Sequence, residues 1–281
     1  MKVSAFSICR NAVKFDYPIV EVIQAGLPLV DEFVVNVGQS DDGTLELIRS
    51  IGSDKIRIVE SFWDDNLKKD GLLFSIETNK ALARCTGDWA LYLQADEVLH
   101  EAEYETIRRS MRDHLADQAV LGLTFRYLHF YGDYFSLNPW FYHRAVRIIR
   151  NDGRVESFGD AVGFCLKADQ SYLQSADKDR LRASGATMYH YGWVKQPKVL
   201  LDKFRYQIAR HQGDHPGAEQ AAMLAKEAYE FEEYDIMKNF TGTHPAVMRD
   251  RVAGYPKLKP GRNRWFEPAF YRAIVKKGFR G

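Results

Sequence analysis

The chain has 281 residues, of which 46% are hydrophobic and 27% are charged, and its formal net charge is +1. These values are ordinary for a folded globular protein and exclude wholesale disorder, and the balanced charge gives no support to nucleic acid as the main partner. The length suits one large α/β domain with a smaller appendage. Three scattered cysteines are too few for a disulfide framework or a zinc site, so we predict reduced thiols.

The sequence carries no targeting or spanning segment that we can identify. The N-terminal stretch MKVSAFSICRNAV lacks a long apolar run, and no window approaches 18 consecutive apolar residues. We therefore expect a cytoplasmic protein. The basic and aromatic tail YRAIVKKGFRG (271–281) leaves two alternatives open, which are peripheral contact with an anionic membrane at its inner face and an ordinary surface helix.

Apolar strands alternate with helical segments along the first hundred residues. The predicted strands are 3–8, 32–37, 55–60 and 89–93, and the predicted helices are 17–25, 42–51 and 72–85. Short connections between such units are typical of a mostly parallel sheet with helices on both faces. In these sheets ligands bind beyond the carboxyl ends of the strands.

The pattern changes after about residue 117. Segments 120–130, 145–149 and 161–166 are predicted strands, and an aromatic stretch, HFYGDYFSLNPWFYHR, separates the first two. From residue 196 the pattern is helical, with predicted helices at 199–211 and 218–237. We therefore divide the chain into an α/β domain, residues 1–195, and a helical C-terminal extension, residues 196–281.

Two motifs follow predicted strands. GQSDDGT (38–44) opens a helix, where its backbone can approach a phosphate-bearing ligand, although Asp41 or Asp42 can equally cap that helix. The fourth strand ends on QADE (94–97), with two acids where removing a carboxylate from water is costly. Either this is a solvated turn or a positive partner lies there.

In their order and spacing, SDDGT (40–44) and GDWALYLQADE (87–97) resemble the family 2 glycosyltransferases, which have the GT-A nucleotide-sugar-binding fold. The resemblance covers about the first 100 residues. It implies that residues 1–100 bind the donor and residues 101–195 the acceptor. The donor-binding residues that it implies are Ser7, Cys9, Arg10, Asn11, Gly38, Ser40, Asp42, Asn79, Gln94, Ala95 and Asp96.

The same resemblance implies a metal site. In the family the last acid of an Asp-x-Asp motif binds the cation that bridges the donor phosphates, which predicts Mn²⁺ or Mg²⁺ at Asp96. His190, in an HYG setting similar to that of family members, is the predicted second ligand, and a buried core histidine is the alternative. Gln94 replaces the first acid, and Val37 stands where many members have a base-contacting acid, so no preference for uridine follows. Glu97 either supports the site or faces solvent.

An inverting transfer needs a carboxylate that accepts the proton of the acceptor hydroxyl. Related sequences have an acid shortly after a strand like RIIR (147–150), and Asp152, Glu156 and Asp160 follow it here. We predict Asp160 as the catalytic base and Glu156 as second choice, since Asp152 lies in an Asn-Asp-Gly turn. Trp140 and Tyr142 are the predicted acceptor-binding residues, because sugar C–H faces stack on aromatic rings.

These inferences predict an inverting, metal-assisted glycosyltransferase. It would move a sugar from a nucleotide-diphosphate donor to a hydroxyl of a glycan or glycolipid, in bacterial polysaccharide or lipopolysaccharide assembly. A nucleotidyltransferase of similar fold is one alternative, although SICRNAVKF (7–15) lacks the glycine-rich loop expected after its first strand. A non-catalytic descendant that binds a sugar or a partner is the other, and Gln94 and Val37 favour it.

Overall fold

The computed structural model describes residues 1–67, 69–174, 177–212, 217–231, 236–258 and 264–279. Its strands are β1 (Val3–Cys9), β2 (Glu32–Gly38), β3 (Ile56–Ser61), β4 (Trp89–Tyr92), β5 (Glu97–Leu99), β6 (Gly122–Tyr131), β7 (Ser136–Leu137), β8 (Arg144–Arg150), β9 (Val155–Phe158), β10 (Gly163–Leu166), β11 (Leu181–Trp193) and β12 (Lys238–Asn239). Its α-helices are α1 (Ile19–Gly26), α2 (Thr44–Arg49), α3 (Leu72–Leu82), α4 (Tyr104–Asp113), α5 (Pro197–Gln212), α6 (Ala218–Leu224), α7 (Arg249–Ala253) and α8 (Pro268–Lys277).

The strands form one large sheet and a small hairpin. The order along the large sheet is β12-β7-β6-β8-β4-β1-β2-β3, and β11 pairs with both β6 and β5. The four strands β3, β2, β1 and β4 are parallel, and β8 joins β4 to β6 in antiparallel fashion. The hairpin consists of β9 and β10. The α/β class predicted from the sequence is therefore confirmed, and the four-stranded parallel part lies in the first hundred residues.

Three of the four parallel strands, β1, β2 and β4, are fully buried. Every residue of β1 and of β2 is buried, which is the continuous apolar pattern of a sheet covered on both sides. β1 and β4 are paired so that Phe6 lies opposite Tyr92. The residues that follow these two strands, from Arg10 and from Gln94 onward, therefore emerge at the same edge of the sheet.

The long strand β11 connects the second half of the chain to this edge. It pairs in parallel with β6, where His190 lies opposite His129, and antiparallel with β5, where His190 lies opposite Glu97. The pairing with β6 is irregular between His190 and Trp193. This irregularity lies where the strand passes the residues that follow β4.

Several predicted elements differ from the structure in extent, and two of these differences have a clear structural cause. The helix predicted at 218–237 ends at Leu224, because the chain turns there and packs Tyr229 and Phe231 among the rings of Trp193, Phe204 and Tyr131. Residues 232–235 of that prediction lie outside the described residues.

The strand predicted at 161–166 starts only at Gly163, since Ala161 adopts a left-handed backbone with φ of 63°. At the C-terminus, α8 covers most of the basic tail, and residues 280–281 lie outside the described residues. Among the helices of the described residues, none combines the length and apolar character needed to span a bilayer.

Candidate active site

A cavity of about 410 Å³ opens at the carboxyl ends of β1 and β4. This size lies in the range of small-molecule sites. Its walls come from both halves of the chain: the ends of β1 and β4, the turn at 160–162, the strands β6 and β11, and the helix α5. Among the side chains that line it are Cys9, Arg10, Tyr17, Gln94, Ala95, Asp96, His129, Tyr142, Asp160, His190, Trp193, Lys203 and Tyr206.

Asp96 is buried in this cavity and has a cationic partner. The Nζ atom of Lys203 donates a hydrogen bond of 3.0 Å to Asp96 Oδ2, and Nε2 of His190 lies 3.7 Å from Oδ1. Burial alone would raise the pKa of Asp96, but the charge of Lys203 holds it well below its usual range. The acids at the end of the fourth strand therefore do have a positive partner, and for Asp96 it is Lys203.

Two lysines converge beside the ring of Tyr17. The ammonium of Lys203 lies 5.0 Å from the ring centroid and that of Lys195 lies 4.7 Å from it. Lys203 is 6% exposed and also donates to the carbonyl of Gly192, while Lys195 is fully buried and donates to the carbonyl of Asp16. Burial lowers the pKa of Lys195 to about 7.

The sequence analysis missed both lysines. Lys203 lies on the same face of α5 as Leu200 and Phe204. A lysine on the apolar face of a predicted helix is the sequence feature that could have identified it.

His190 and His129 form a neutral pair. Their Nδ1 atoms are 3.1 Å apart, and Nε2 of His129 lies 2.7 Å from the carbonyl oxygen of Tyr142. Burial lowers the pKa of His129 to about 3 and that of His190 to about 4, so both rings are neutral near pH 7. Because His129 must donate from Nε2 to a carbonyl, its Nδ1 accepts from His190. This assignment leaves the lone pair of His190 on Nε2, which faces Asp96.

The site therefore offers few ligands to a divalent cation. Asp96 offers one carboxylate whose charge Lys203 already matches, and His190 offers one imidazole nitrogen. Within the described residues no group of three His, Cys, Asp or Glu side chains is placed to hold a metal ion. Gln94, in place of the usual first acid, donates to the carbonyl of Ala161 instead. These residues fit a divalent cation poorly, and metal binding at Asp96 and His190 stays a prediction.

Glu97 lies in the core rather than in the cavity. It is fully buried, and both carboxylate oxygens accept hydrogen bonds of 2.8 Å from the guanidinium of Arg147. The hydroxyl of Tyr127 donates to the same carboxylate at 2.7 Å. Glu97 therefore does not face solvent, and Arg147 is a core residue that joins β8 to the end of β4.

Arg10 stands at the mouth of the cavity. Its guanidinium bonds both carboxylate oxygens of Asp65, at 2.7 and 3.1 Å, and the carbonyl of Gln39 at 3.0 Å. Arg210 of α5 binds the same carboxylate, and its guanidinium stacks on the ring of Tyr206. Of the other predicted donor-binding residues, Cys9, Gln94, Ala95 and Asp96 also line the cavity.

The SDDGT motif makes local bonds instead of lining the cavity. Ser40 accepts a hydrogen bond from the backbone N–H of Asn11. Asp42 accepts from the backbone N–H groups of Lys14 and Thr44, and the bond to Thr44 forms an Asx turn just before α2. The motif therefore ties the loop after β1 to the loop after β2. The predicted donor contacts of Asn11, Ser40 and Asp42 remain predictions.

Three further predicted donor-binding residues are packed beneath the site. Ser7 is buried in β1, and its hydroxyl has no hydrogen-bond partner among the described residues. Gly38 lies against the indole of Trp63, where a Cβ atom would approach to 2.7 Å. Asn79 makes two hydrogen bonds of 2.8 Å to the backbone of Ser157 and so holds β9 against α3.

The structure separates the two candidate bases and the two candidate acceptor residues. Asp160 lines the cavity and is exposed, whereas Glu156 lies on β9 and accepts a hydrogen bond from Gln170. Tyr142 lines the cavity. Trp140 instead donates to the carbonyl of Gly278, against the C-terminal helix. Asp160 and Tyr142 are therefore the members of these pairs that can reach a bound ligand.

No protein-family model matches the sequence, and no curated protein does. Solved structures of similar shape include TarS of S. aureus, residues 1–349, in complex with UDP: 17% identity, TM-score 0.42, covering 81% of this chain and 70% of that one. Glucosyl-3-phosphoglycerate synthase of Mycobacterium tuberculosis, with Mn²⁺, UDP and phosphoglyceric acid, has 14% identity and a TM-score of 0.43, covering 77% of this chain and 80% of that one. Against the longer S. aureus TarS structure, the match covers 43% of that chain, with 14% identity and a TM-score of 0.40.

Proposed function

We propose that the chain is a glycosyltransferase of GT-A type. It would move a sugar from a nucleoside-diphosphate donor to a hydroxyl of a glycan or glycolipid, with inversion at the sugar. The observation that carries the proposal is the cavity at the carboxyl ends of the parallel strands, which holds cationic side chains (Arg10 and Lys203) and an exposed carboxylate, that of Asp160. Cations suit a diphosphate, and the carboxylate suits a hydroxyl that must lose its proton.

Each group has a chemical part in this proposal. The diphosphate lies beside Lys203 and within reach of Arg10, and the sugar lies toward Tyr142, whose ring can stack on apolar C–H faces. Asp160 accepts the proton as the acceptor oxygen bonds to the anomeric carbon, and the electron pair of the breaking bond leaves with the diphosphate. Such a base contributes about a hundredfold or more to the rate.

The setting of the proposal is assembly of bacterial surface polysaccharide or lipopolysaccharide, with peripheral contact at a membrane. Apolar side chains near α8 point to this contact, since Phe266 is 83% exposed and Val275 is 89% exposed. Arg272 and Lys276 lie on the same helix, so cations accompany the exposed apolar groups, as in helices that rest on anionic lipid surfaces. Cosedimentation with vesicles of anionic lipid tests this contact, and recovery of all the protein in the supernatant would contradict it.

A nucleotide screen tests the proposed function. UDP, GDP, CDP and ADP, and their common sugar conjugates, are added to the protein in EDTA and in MnCl₂, and the melting temperature is recorded. A ligand that binds only the native state stabilises it, by about 2.7 kcal/mol when the ligand concentration is a hundred times the dissociation constant. The melting temperature therefore rises. Release of free nucleoside diphosphate from one conjugate then distinguishes an enzyme from a binding protein.

The matched control is Asp160→Asn, which we expect to bind the nucleotide like the native chain and to release diphosphate far more slowly. A melting temperature that no nucleotide changes, in either buffer, contradicts the proposal. Binding of a sugar conjugate without any release, in the presence of acceptor candidates, favours the non-catalytic alternative.

A further inference from the structure

We infer that the ammonium group of Lys203, and not a divalent cation, neutralises the diphosphate in this cavity, so that nucleotide binding is independent of metal. The inference rests on the proposed function, because it assigns the diphosphate-binding group of that same site. It disagrees with the metal that the resemblance to family 2 glycosyltransferases implies.

The position of Lys203 is the first support. Its helix, α5, places the side chain in the wall of the cavity with 6% exposure, and its ammonium reaches Asp96, the residue at which the metal is predicted. The ammonium of Lys203 thus already occupies the space beside Asp96 Oδ2 where a metal ion would bind. A lysine held this way carries its charge without recruiting an ion from solution.

The hydrogen bonds of the ammonium are the second support. An ammonium group has three N–H donors. One goes to Asp96 Oδ2 and one to the carbonyl of Gly192, each at 3.0 Å, and the third has no hydrogen-bond partner among the described residues. Since Lys203 lines the cavity, this third donor is available to an oxygen of a bound ligand.

The charge balance is the third support. Asp96 supplies one negative charge, and the ammonium of Lys203 matches it. Lys195 lies on the same Tyr17 ring as Lys203, so a second lysine is close by. A divalent cation placed beside Asp96 would be repelled by the ammonium of Lys203, whereas a diphosphate would be attracted by it.

In this arrangement Asp96 is a positioning residue. Its carboxylate accepts a hydrogen bond from the ammonium and so holds it in place in the wall of the cavity. When the bond between the sugar and the diphosphate breaks, the electron pair stays on the diphosphate oxygen, and the fixed ammonium stabilises the charge that develops there. No ion or co-reactant enters this step.

The test measures binding, so it does not depend on knowing the acceptor. Isothermal calorimetry is run with UDP, GDP, CDP and ADP, each in EDTA and in MnCl₂. For the diphosphate that binds best, we expect affinities in the two buffers that agree within about threefold. Lys203→Met should lower the affinity in EDTA by about tenfold or more, and Lys203→Arg, which keeps the charge, should retain most of it.

Two further variants serve as controls. Lys198→Met removes an exposed lysine of the same helix and should leave the affinity unchanged. Should Lys203→Met fail to fold because Asp96 is left without its partner, the double variant with Asp96→Asn removes both charges and is measured in its place. Asp96→Asn alone removes the carboxylate that holds the ammonium, so any change in affinity should be the same in EDTA and in MnCl₂, whereas the metal prediction requires a loss confined to MnCl₂.

The outcomes separate the inference from the proposed function. Binding of a nucleoside diphosphate in MnCl₂ and not in EDTA overturns the inference and leaves the proposed function standing. If folded Lys203→Met binds the diphosphate in EDTA with unchanged affinity, the inference is also overturned and the proposed function still stands. If none of the four diphosphates binds in either buffer, both the inference and the proposed function fail.

Discussion

The two halves of this chain contribute differently to the cavity. Residues 1–100 form the parallel strands at whose ends the cavity opens, and residues after 100 supply most of the charged and polar groups that line it. Asp96 and Glu97 show the difference at neighbouring positions. Each acid takes its cation from the second half, Asp96 from Lys203 in the cavity and Glu97 from Arg147 in the core.

This comparison shows that a strand end becomes a site through what packs against it. The pair of Glu97 and Arg147 is fully buried and makes further hydrogen bonds to Tyr127 and to the carbonyl of Val162, as a structural ion pair requires. The pair of Asp96 and Lys203 keeps one ammonium N–H without a partner in the described residues, as a binding site requires. The first pair should matter to stability and the second to ligand affinity.

The largest expected effect comes from breaking the core pair. Arg147→Met leaves Glu97 buried without its cation, so we expect the free energy of unfolding in urea to fall by about 3–5 kcal/mol. Arg144→Met, at an exposed position of the same strand, is the control and should change it by less than about 1 kcal/mol. Equal losses in the two variants would mean that the buried pair does not join the two halves.

The next effect concerns the carboxylate that the second half places in the cavity. Asp160→Asn is nearly isosteric but is a far weaker base, so turnover should fall about a hundredfold or more, or roughly 2.7 kcal/mol, with nucleotide affinity unchanged. Glu156→Gln is the matched variant, because that carboxylate is bonded to Gln170 on β9. A large loss in Glu156→Gln, with Asp160→Asn still active, would show that the base is the other acid.

The first half could be predicted closely from the sequence. Its strands β1, β2 and β4 are fully buried, β3 shows an alternating pattern, and the predicted ranges match all four strands within about one residue. The same logic predicts Asp96 at the edge of the sheet where the cavity opens, because parallel strands end together.

The second half could not be predicted as far, since its contacts join distant parts of the chain. Local periodicity identifies α5 as a helix, but it does not say that Lys203 reaches Asp96, which is 107 positions away. In the sequence Arg147 looks like a residue that flanks a strand. In the structure it is fully buried, because it forms an ion pair with Glu97. The helix predicted at 218–237 was wrong because tertiary packing of Tyr229 and Phe231 overrides helical periodicity.

The smallest expected effect concerns His244, which joins the C-terminal part of the chain to β11. The hydroxyl of Tyr191 donates to Nδ1 at 2.8 Å, so Nε2 carries the proton and donates to the carbonyl of Tyr134 at 2.9 Å. Burial lowers the pKa of His244 to about 4, whereas an ordinary histidine in the unfolded chain has a pKa near 6.5. Below about pH 6.5 the unfolded chain therefore binds a proton that the folded chain refuses.

Stability from this histidine should thus be fully present above about pH 6.5 and should be lost as the pH falls toward about 4. The free energy of unfolding in urea is measured for the native chain and for His244→Gln at about pH 7.5 and at about pH 5. We expect the native chain to be the more stable of the two by a margin that is about 1 kcal/mol larger at pH 7.5 than at pH 5. This value is already reduced because the ring is partly exposed. His114→Gln, at the C-terminal end of α4, is measured alongside as the variant that removes a different imidazole. A difference between the native chain and His244→Gln that is the same at both pH values would mean that His244 accepts its proton in the folded state, and that its two hydrogen bonds do not hold it neutral.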